Sequence, residues 1–553
     1  MSATPRVFPY TRRDFLKHIS AVTVSAGLFL HDLNAQDANY VIAETAFGKI
    51  RGVDNNGIKT FKGIPYGANT TGTNRFMPPG EPADWSGVRD ALAYGHSAPQ
   101  RDPDAPPPPP GVLTVSGENL PAEGEDCLVL NIWTPSVAPT SGSDRKRPVM
   151  FWCHGGGFVT GSGSATGTDG TNLARRGDLV VVSINHRLNV LGFANLSEFS
   201  RDFAASGDAG MLDIIQALKW VRANISQFGG DPNTVTIFGQ SGGARKVETL
   251  LTMPLAKGLF HRAIVESGAA VTLVDRDVAV HNAQQLLAKL SIDPKNVREL
   301  QKLPLEKIMA AYFAVVKDNP AVDVNLAGFA PTVDGSIVPQ HPFSPKASPV
   351  SASVPMMIGC TRTEMTLFSV NDPSAFTQNE ADMRKRVGDI LGERAPAMID
   401  LYQKLNPGAT PSDIYFLIAS DYRYGAPTML AAERRAALGK APVFLYYFTW
   451  ETPVQGGRLK TPHTMEIPFA FDNVKVSARM TGGGADAVAL ADKVSDAWIA
   501  FARTGDPNTP KLPRWPAYDA KDRATMVINN VSTVVNDPLR EQRLAMYRAW
   551  NYS

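Results

Sequence analysis

The stretch that most constrains this chain is Thr-Val-Thr-Ile-Phe-Gly-Gln-Ser-Gly-Gly at residues 234–243. Its β-branched start predicts a buried strand over 234–238, and residues 244–251 predict a helix. Ser241 sits between them, with Gly239 and Gly243 two residues away on either side. Strand and helix close over so short a turn only where no side chain stands at the crossing, which is what the two glycines provide. The serine is then held in a strained backbone conformation. Its hydroxyl is presented at the mouth of the sheet, at the positive end of the helix. Glycines are common here, 46 in all, so the string alone says little. The strand before it and the helix after it are what make Ser241 a candidate nucleophile.

The rest of the composition is that of a large soluble enzyme, with 43% hydrophobic and 20% charged residues. A net charge of +2 leaves no basic stripe or acidic tail, so nucleic acid is not an expected partner. Cys127, Cys153 and Cys360 are too few for a disulfide framework and lack zinc-site spacing. No metal and no cofactor are expected. At the N-terminus, Arg12-Arg13 precede a mild apolar run at 19–30, and Leu-Asn-Ala at 33–35 reads as a cleavage site. This resembles a twin-arginine export signal over residues 1–35, with the mature domain at 36–553 exported to the periplasm or beyond. The apolar run is too short for a permanent membrane anchor.

Along the mature chain, residues 40–51 read as a hairpin and 61–66 as strand and turn. Residues 126–133, 148–153 and 179–185 read as apolar strands separated by loops and helices. That alternation predicts an α/β fold with a large, mostly parallel sheet covered on both faces. A helix is expected over 211–228, stopped by Gly-Gly-Asp-Pro. Helical patterns at 278–290, 297–303, 305–316, 380–391 and 395–404 suggest a cap or lateral layer. A late core strand at 443–449 and a helix at 492–503 follow. The five prolines at 106–110 belong to a loop.

A serine hydroxyl needs a base and an orienting acid to attack at neutral pH. The turn around Ser241 resembles the nucleophile elbow of α/β-hydrolases, where serine, acid and histidine follow in that order. Of the nine histidines, only His463 lies after the serine and after the best acid. That acid is Glu364, at a strand end in Ile-Gly-Cys-Thr-Arg-Thr-Glu; Asp334, in a Val-Asp-Gly turn, is its rival. A third element is His-Gly-Gly-Gly-Phe at 154–158, after a predicted buried strand. Its glycines let backbone N–H groups converge on one point, as a developing oxyanion requires.

Taken together, these motifs resemble the type-B carboxylesterases, the family that includes cholinesterases and bacterial para-nitrobenzyl esterases. The likeness also covers 61–66, Arg75-Phe76, 125–131, 185–187, 207–213, 228–233 and 504–508. It implies an α/β-hydrolase fold with helical cap insertions and hydrolysis of small-molecule carboxylic esters. It assigns Ser241 as nucleophile, His463 as base and Glu364 as acid. The N–H groups of Gly156, Gly157 and Gly242 become the oxyanion hole. Arg75 with Glu125, and Arg187 with Asp213, resemble structural ion pairs of the family.

Two departures stand out. Many members carry Glu-Ser-Ala where this chain has Gln240-Ser241-Gly242, so a negative charge beside the imidazole is lost. The family also pairs the cysteine of its Glu-Asp-Cys motif with one upstream, and residues 36–126 contain none, so Cys127 is expected to be a free buried thiol. A lipase, thioesterase or amidase of the same fold remains an alternative, as does a non-catalytic adhesion-type relative. The latter typically lacks one of the three catalytic residues.

Overall fold

Seven parallel strands form the centre of the structure, a computed structural model that describes residues 39–104, 121–137, 146–319 and 328–550. The expected export signal and the proline run at 106–110 lie outside the described residues. The strands are β1 (Arg147–Cys153), β2 (Val180–Ile184), β3 (Gly230–Gln240), β4 (Arg262–Glu266), β5 (Met356–Thr361), β6 (Val443–Phe448) and β7 (Ala524–Ile528). Their spatial order is β2-β1-β3-β4-β5-β6-β7. Strands at Val129–Thr134, Ile58–Pro65, Gly48–Asn55 and Tyr40–Thr45 extend the sheet beyond β2, and Thr533–Asn536 closes the other edge antiparallel to β7.

A strand covered on both faces must be apolar throughout, and β1 shows why. Val149, Phe151 and Cys153 pack into one core, while Met150 and Trp152 pack into the core on the other face. Because all seven strands run the same way, their carboxyl ends share one edge of the sheet. Register then sets the neighbours: Gln240 of β3 stands beside Glu266 of β4, and Glu266 beside Gly359 of β5. Across β1 and β3, Cys153 stands beside Gly239. The chain also reverses its winding at β1, which has β2 on one side and β3 on the other. Crevices outside the carboxyl ends at such a reversal are where open α/β sheets bind ligands.

The lateral helices appear where their patterns predict: Arg276–Lys289, Leu305–Asp318, Glu380–Leu391 and Ala395–Leu405. Several elements differ. The helix expected over 211–228 is an α-helix at Ala209–Asn224 followed by a 3-10 turn at Ile225–Phe228, ended by Gly229 at φ 71°. The one expected at 297–303 is a 3-10 stretch, Pro294–Lys302, broken at Asn296. The C-terminal helix starts at Ala485 and runs to Thr504, well before the expected 492. Strands β4 and β7 and the helices Pro411–Ser420, Ala426–Ala436 and Arg540–Ala549 carry no pattern strong enough to be read beforehand. The described residues from Val41 onward form one compact unit. No helix among the described residues is long and apolar enough to cross a membrane.

Candidate active site

Ser241 terminates β3 with φ 58° and ψ −122°, a conformation disfavoured for any residue with a side chain. The strain persists because the surroundings fix both ends of its peptide. Its N–H donates to the Glu266 carbonyl at 2.8 Å, and its own carbonyl accepts the Arg245 N–H at 3.1 Å. The crossing is as tight as the two glycines foretold. A Cβ on Gly243 would fall 2.0 Å from the Cys153 carbonyl oxygen, inside any van der Waals contact.

The glycine loop after β1 lies directly against this turn. Gly156 and Gly157 both have positive φ, 84° and 64°. Gly242 packs so closely on Gly157 that a Cβ there would come within 2.4 Å of its main-chain nitrogen. Beneath the loop is Lys246, fully buried, whose ammonium donates to the carbonyls of His154 at 2.9 Å and Gly157 at 2.7 Å. Burial pushes this lysine down to about 7. The same cation, after burial itself, helps hold His154 down at about 3. His154 stacks on His186 at 5.0 Å, and His186 is likewise depressed, so both rings stay neutral.

The histidine and the acid come from the loops after β6 and β5. Glu364 is wholly buried and His463 is 2% exposed. One Glu364 oxygen accepts the Thr361 N–H at 2.7 Å, and the other meets Nδ1 of His463 in a short hydrogen bond. The two backbones are tied as well, the His463 N–H to the Glu364 carbonyl at 3.2 Å. The side chains are 99 residues apart in sequence. Asp334 takes no part: its carboxylate accepts the N–H groups of Ser336 and Val338 in its own turn.

Three groups surround the imidazole. Tyr424 lies 4.7 Å and Phe368 5.1 Å from it, ring centre to ring centre. The Gln240 amide nitrogen is 3.4 Å from Nδ1 and 3.3 Å from Nε2. Being nearly equidistant, the amide crosses the ring and does not point along either nitrogen's lone pair. It also brings the residue preceding Ser241 into contact with the His463 ring. Behind the pair are two further buried carboxyls. Glu466 accepts the Ser267 hydroxyl, and its carboxyl is raised by burial and by the nearby Glu364. Glu266 accepts the Trp498 indole N–H at 2.6 Å and is pushed by burial up to about 8.

Sequence reasoning missed Lys246, Glu266, Glu466, Tyr424 and Phe368. No sequence signal pointed to them: the helix Gly242–Thr252 that carries Lys246 is buried along its whole length, yet its Arg, Lys, Glu and Thr residues read as those of an ordinary half-exposed helix. The ion pairs are as expected: Arg75 to Glu125 and Arg187 to Asp213, each at 2.6 Å and buried. All three cysteines are free and buried. Among the described residues no cluster of His, Cys, Asp or Glu is arranged to hold a metal ion.

Comparison with known proteins places this arrangement. The model of the carboxylesterase family matches residues 39–547. The para-nitrobenzyl esterase of Bacillus subtilis is 35% identical over 513 residues, covering 92% of this chain and 98% of that protein. The phenmedipham hydrolase of Pseudarthrobacter oxydans is 34% identical, covering 88% of this chain and 95% of that one. The crystal structure of the Geobacillus stearothermophilus carboxylesterase EST55 superposes with a TM-score of 0.77 at 36% identity, covering 91% of this chain and 99% of that one. With the α/β-hydrolase fold, the serine turn and this extent of likeness, the chain belongs to the carboxylesterase family and is a carboxylic ester hydrolase.

Proposed function

We propose that hydrolysis proceeds through an acyl-enzyme on Ser241, with His463 as general base and Glu364 as the orienting acid. The observation that carries this reading is the convergence on one imidazole. Glu364 holds its Nδ1 side, and Gln240, the residue preceding Ser241, lies against the same ring. The Glu364 carboxylate keeps the Nδ1 proton in place, so Nε2 is the nitrogen free to accept the serine proton. Ser241 Oγ then attacks the ester carbonyl. The N–H groups of Gly156, Gly157 and Gly242 stabilise the tetrahedral oxyanion, and the imidazolium returns its proton to the departing alcohol. Water, deprotonated by the same imidazole, cleaves the acyl-enzyme and releases the acid.

Charge around the site is disposed to suit those steps. Lys246, lowered by burial to about 7, donates to the Gly157 carbonyl on the oxyanion side, and the Glu364 carboxylate lies behind the imidazole that becomes positive. Ser241→Ala tests the reading. The folded variant is expected to lose at least about 10⁴-fold in kcat. A phosphonate or sulfonyl fluoride should label Ser241, seen by mass spectrometry. Undiminished turnover, or a label elsewhere, refutes the assignment.

A further inference from the structure

The amine of Lys246 is wholly buried and directed at the glycine loop. Its polar partners among the described residues are two main-chain carbonyls, those of His154 at 2.9 Å and Gly157 at 2.7 Å. Burying an amine is costly, and a lysine is almost never fully buried unless it is paired. Its aromatic neighbour belongs to the same loop, since Nζ lies 5.3 Å from the centre of the Phe158 ring. The helix that carries it, Gly242–Thr252, is the one capped by Ser241.

The loop needs something to orient it. Gly155, Gly156 and Gly157 are consecutive, and glycine peptides rotate more freely than any others. The packing of Gly242 on Gly157 sets how near the loop lies to the serine turn. It does not set which way the peptides face, and hydrogen bonds do that. The Gly155 carbonyl accepts from His154 Nδ1 at 2.8 Å, and the Gly156 carbonyl accepts the Thr160 N–H at 3.0 Å. The two outer carbonyls, of His154 and Gly157, both go to Lys246. Along the chain, the N–H groups of Gly156 and Gly157 lie between these two ties. They donate to no protein acceptor among the described residues, which leaves them available to a substrate.

We propose that Lys246 is the positioning residue of the oxyanion hole. By drawing both ends of the glycine segment to one nitrogen, it locks the Gly156 and Gly157 N–H groups to the helix that begins at the nucleophile. Donors and serine then keep one fixed separation. The tie outlasts loss of the lysine's proton, because a neutral amine still has two N–H groups for two carbonyls. This inference rests on Ser241 as nucleophile and on those N–H groups as the oxyanion donors.

The test pairs two inhibitors, butyl trifluoromethyl ketone and butyl methyl ketone. Ser241 Oγ adds to the activated carbonyl carbon, the serine proton passes to His463, and the ketone oxygen becomes an oxyanion facing the loop. The plain ketone stays a ketone. The preference for the first over the second, as a ratio of inhibition constants, therefore reads the oxyanion hole, and general damage to the pocket cancels. Lys246→Met fills much the same volume without a donor. Its preference should fall by about 10²-fold, and kcat for ethyl butyrate by a similar factor with KM little changed, the size expected when oxyanion donors are lost or misaimed. Lys246→Gln keeps a donor that is one bond shorter and reaches one carbonyl at most. It should lose about 10-fold in both, and it decides the matter if Lys246→Met does not fold. A wild-type preference in the folded Met variant, or in Gln where Met does not fold, overturns the inference, even if kcat has fallen. So does a rise in KM at constant kcat. A preference for the trifluoromethyl ketone that survives Ser241→Ala would instead overturn the nucleophile, and this inference with it.

Discussion

The two halves of the site are built by different means. The half made by β1 and β3 consists of backbone: a strained serine, glycines packed at contact distance, and a buried lysine bonded to two carbonyls. The half made by the loops after β5 and β6 consists of side chains, a carboxylate meeting an imidazole between two aromatic rings. Backbone geometry fails all at once when an atom is added, whereas a side-chain arrangement can lose one charge and keep its shape. The two halves should therefore respond to mutation in different ways.

Gly243→Ala is the harshest test of the backbone half. The added Cβ would lie 2.0 Å from the Cys153 carbonyl oxygen; its position is fixed by the backbone and the oxygen is main chain, so neither can rotate away. Overpacking of this kind costs about 1–3 kcal/mol or more and moves the serine out of position. Thermal melting should shift down together with a loss of turnover of about 10²-fold or more, since small misplacements at a reacting centre cost that much. A variant with wild-type melting and full activity would show that the crossing is looser than its geometry.

Glu364→Gln probes the other half and should separate activity from stability. The amide occupies the carboxylate's volume and can still accept from Thr361, but it carries no charge for the imidazolium and does not fix the tautomer. Turnover is expected to fall by about 10³-fold or more with KM little changed, while circular dichroism and melting stay close to wild type. Should Asp334→Asn be the crippling change instead, the acid has been assigned to the wrong residue.

This contrast also explains what could be read in the sequence. The backbone half is contiguous: Gly239, Ser241 and Gly243 leave their signature within five residues because the geometry forbids anything else. His463 and Glu364 leave no local signature, since a histidine after a proline and a glutamate after a strand are ordinary. Those two emerged from chain order and from likeness to a family. Strands β4 and β7 went unread because Arg-Ala-Ile-Val-Glu and Ala-Thr-Met-Val-Ile are short and gain their identity from sheet neighbours, not from periodicity. Lys246 and Glu266 could not be assigned, because a charged side chain reveals that it is buried only once its surroundings are known.

The buried carboxyls give the acid-rich half a pH signature opposite in sign to that of Lys246 in the backbone half, since burial raises the carboxyls and lowers the lysine. Glu266 has its carboxyl raised by burial to about 8. In the unfolded chain it ionises in the ordinary glutamate range, so the folded state holds the proton more tightly. Its contribution to stability is complete below about pH 4.3 and is lost as pH rises through about 8. Glu266→Gln removes that titration while keeping an acceptor for Trp498. The melting temperature of the variant relative to wild type should therefore climb between pH 5 and 8. A constant difference across that range would mean that Glu266 does not titrate there.

The smallest expected effect concerns the cysteine thiols, one beside each half and a third away from both. Cys153 ends β1 beside the glycine loop, and Cys360 lies in β5 four residues before Glu364. Cys127 is buried near Tyr66, Arg187 and Asp213. Burial pushes Cys153 up to about 12 and raises the other two thiols as well, so none offers a thiolate to oxidant or alkylating agent. Each acts as small apolar filler at its position. An added reductant should leave melting and turnover unchanged. A thiol reagent should count none in the native enzyme and three after denaturation, matching the three free cysteines. Rapid native labelling of Cys153 or Cys360 with loss of activity would mean that the edge of the sheet opens. In that case the tight packing attributed to the serine crossing, on which the contrast between the two halves depends, would not hold in solution.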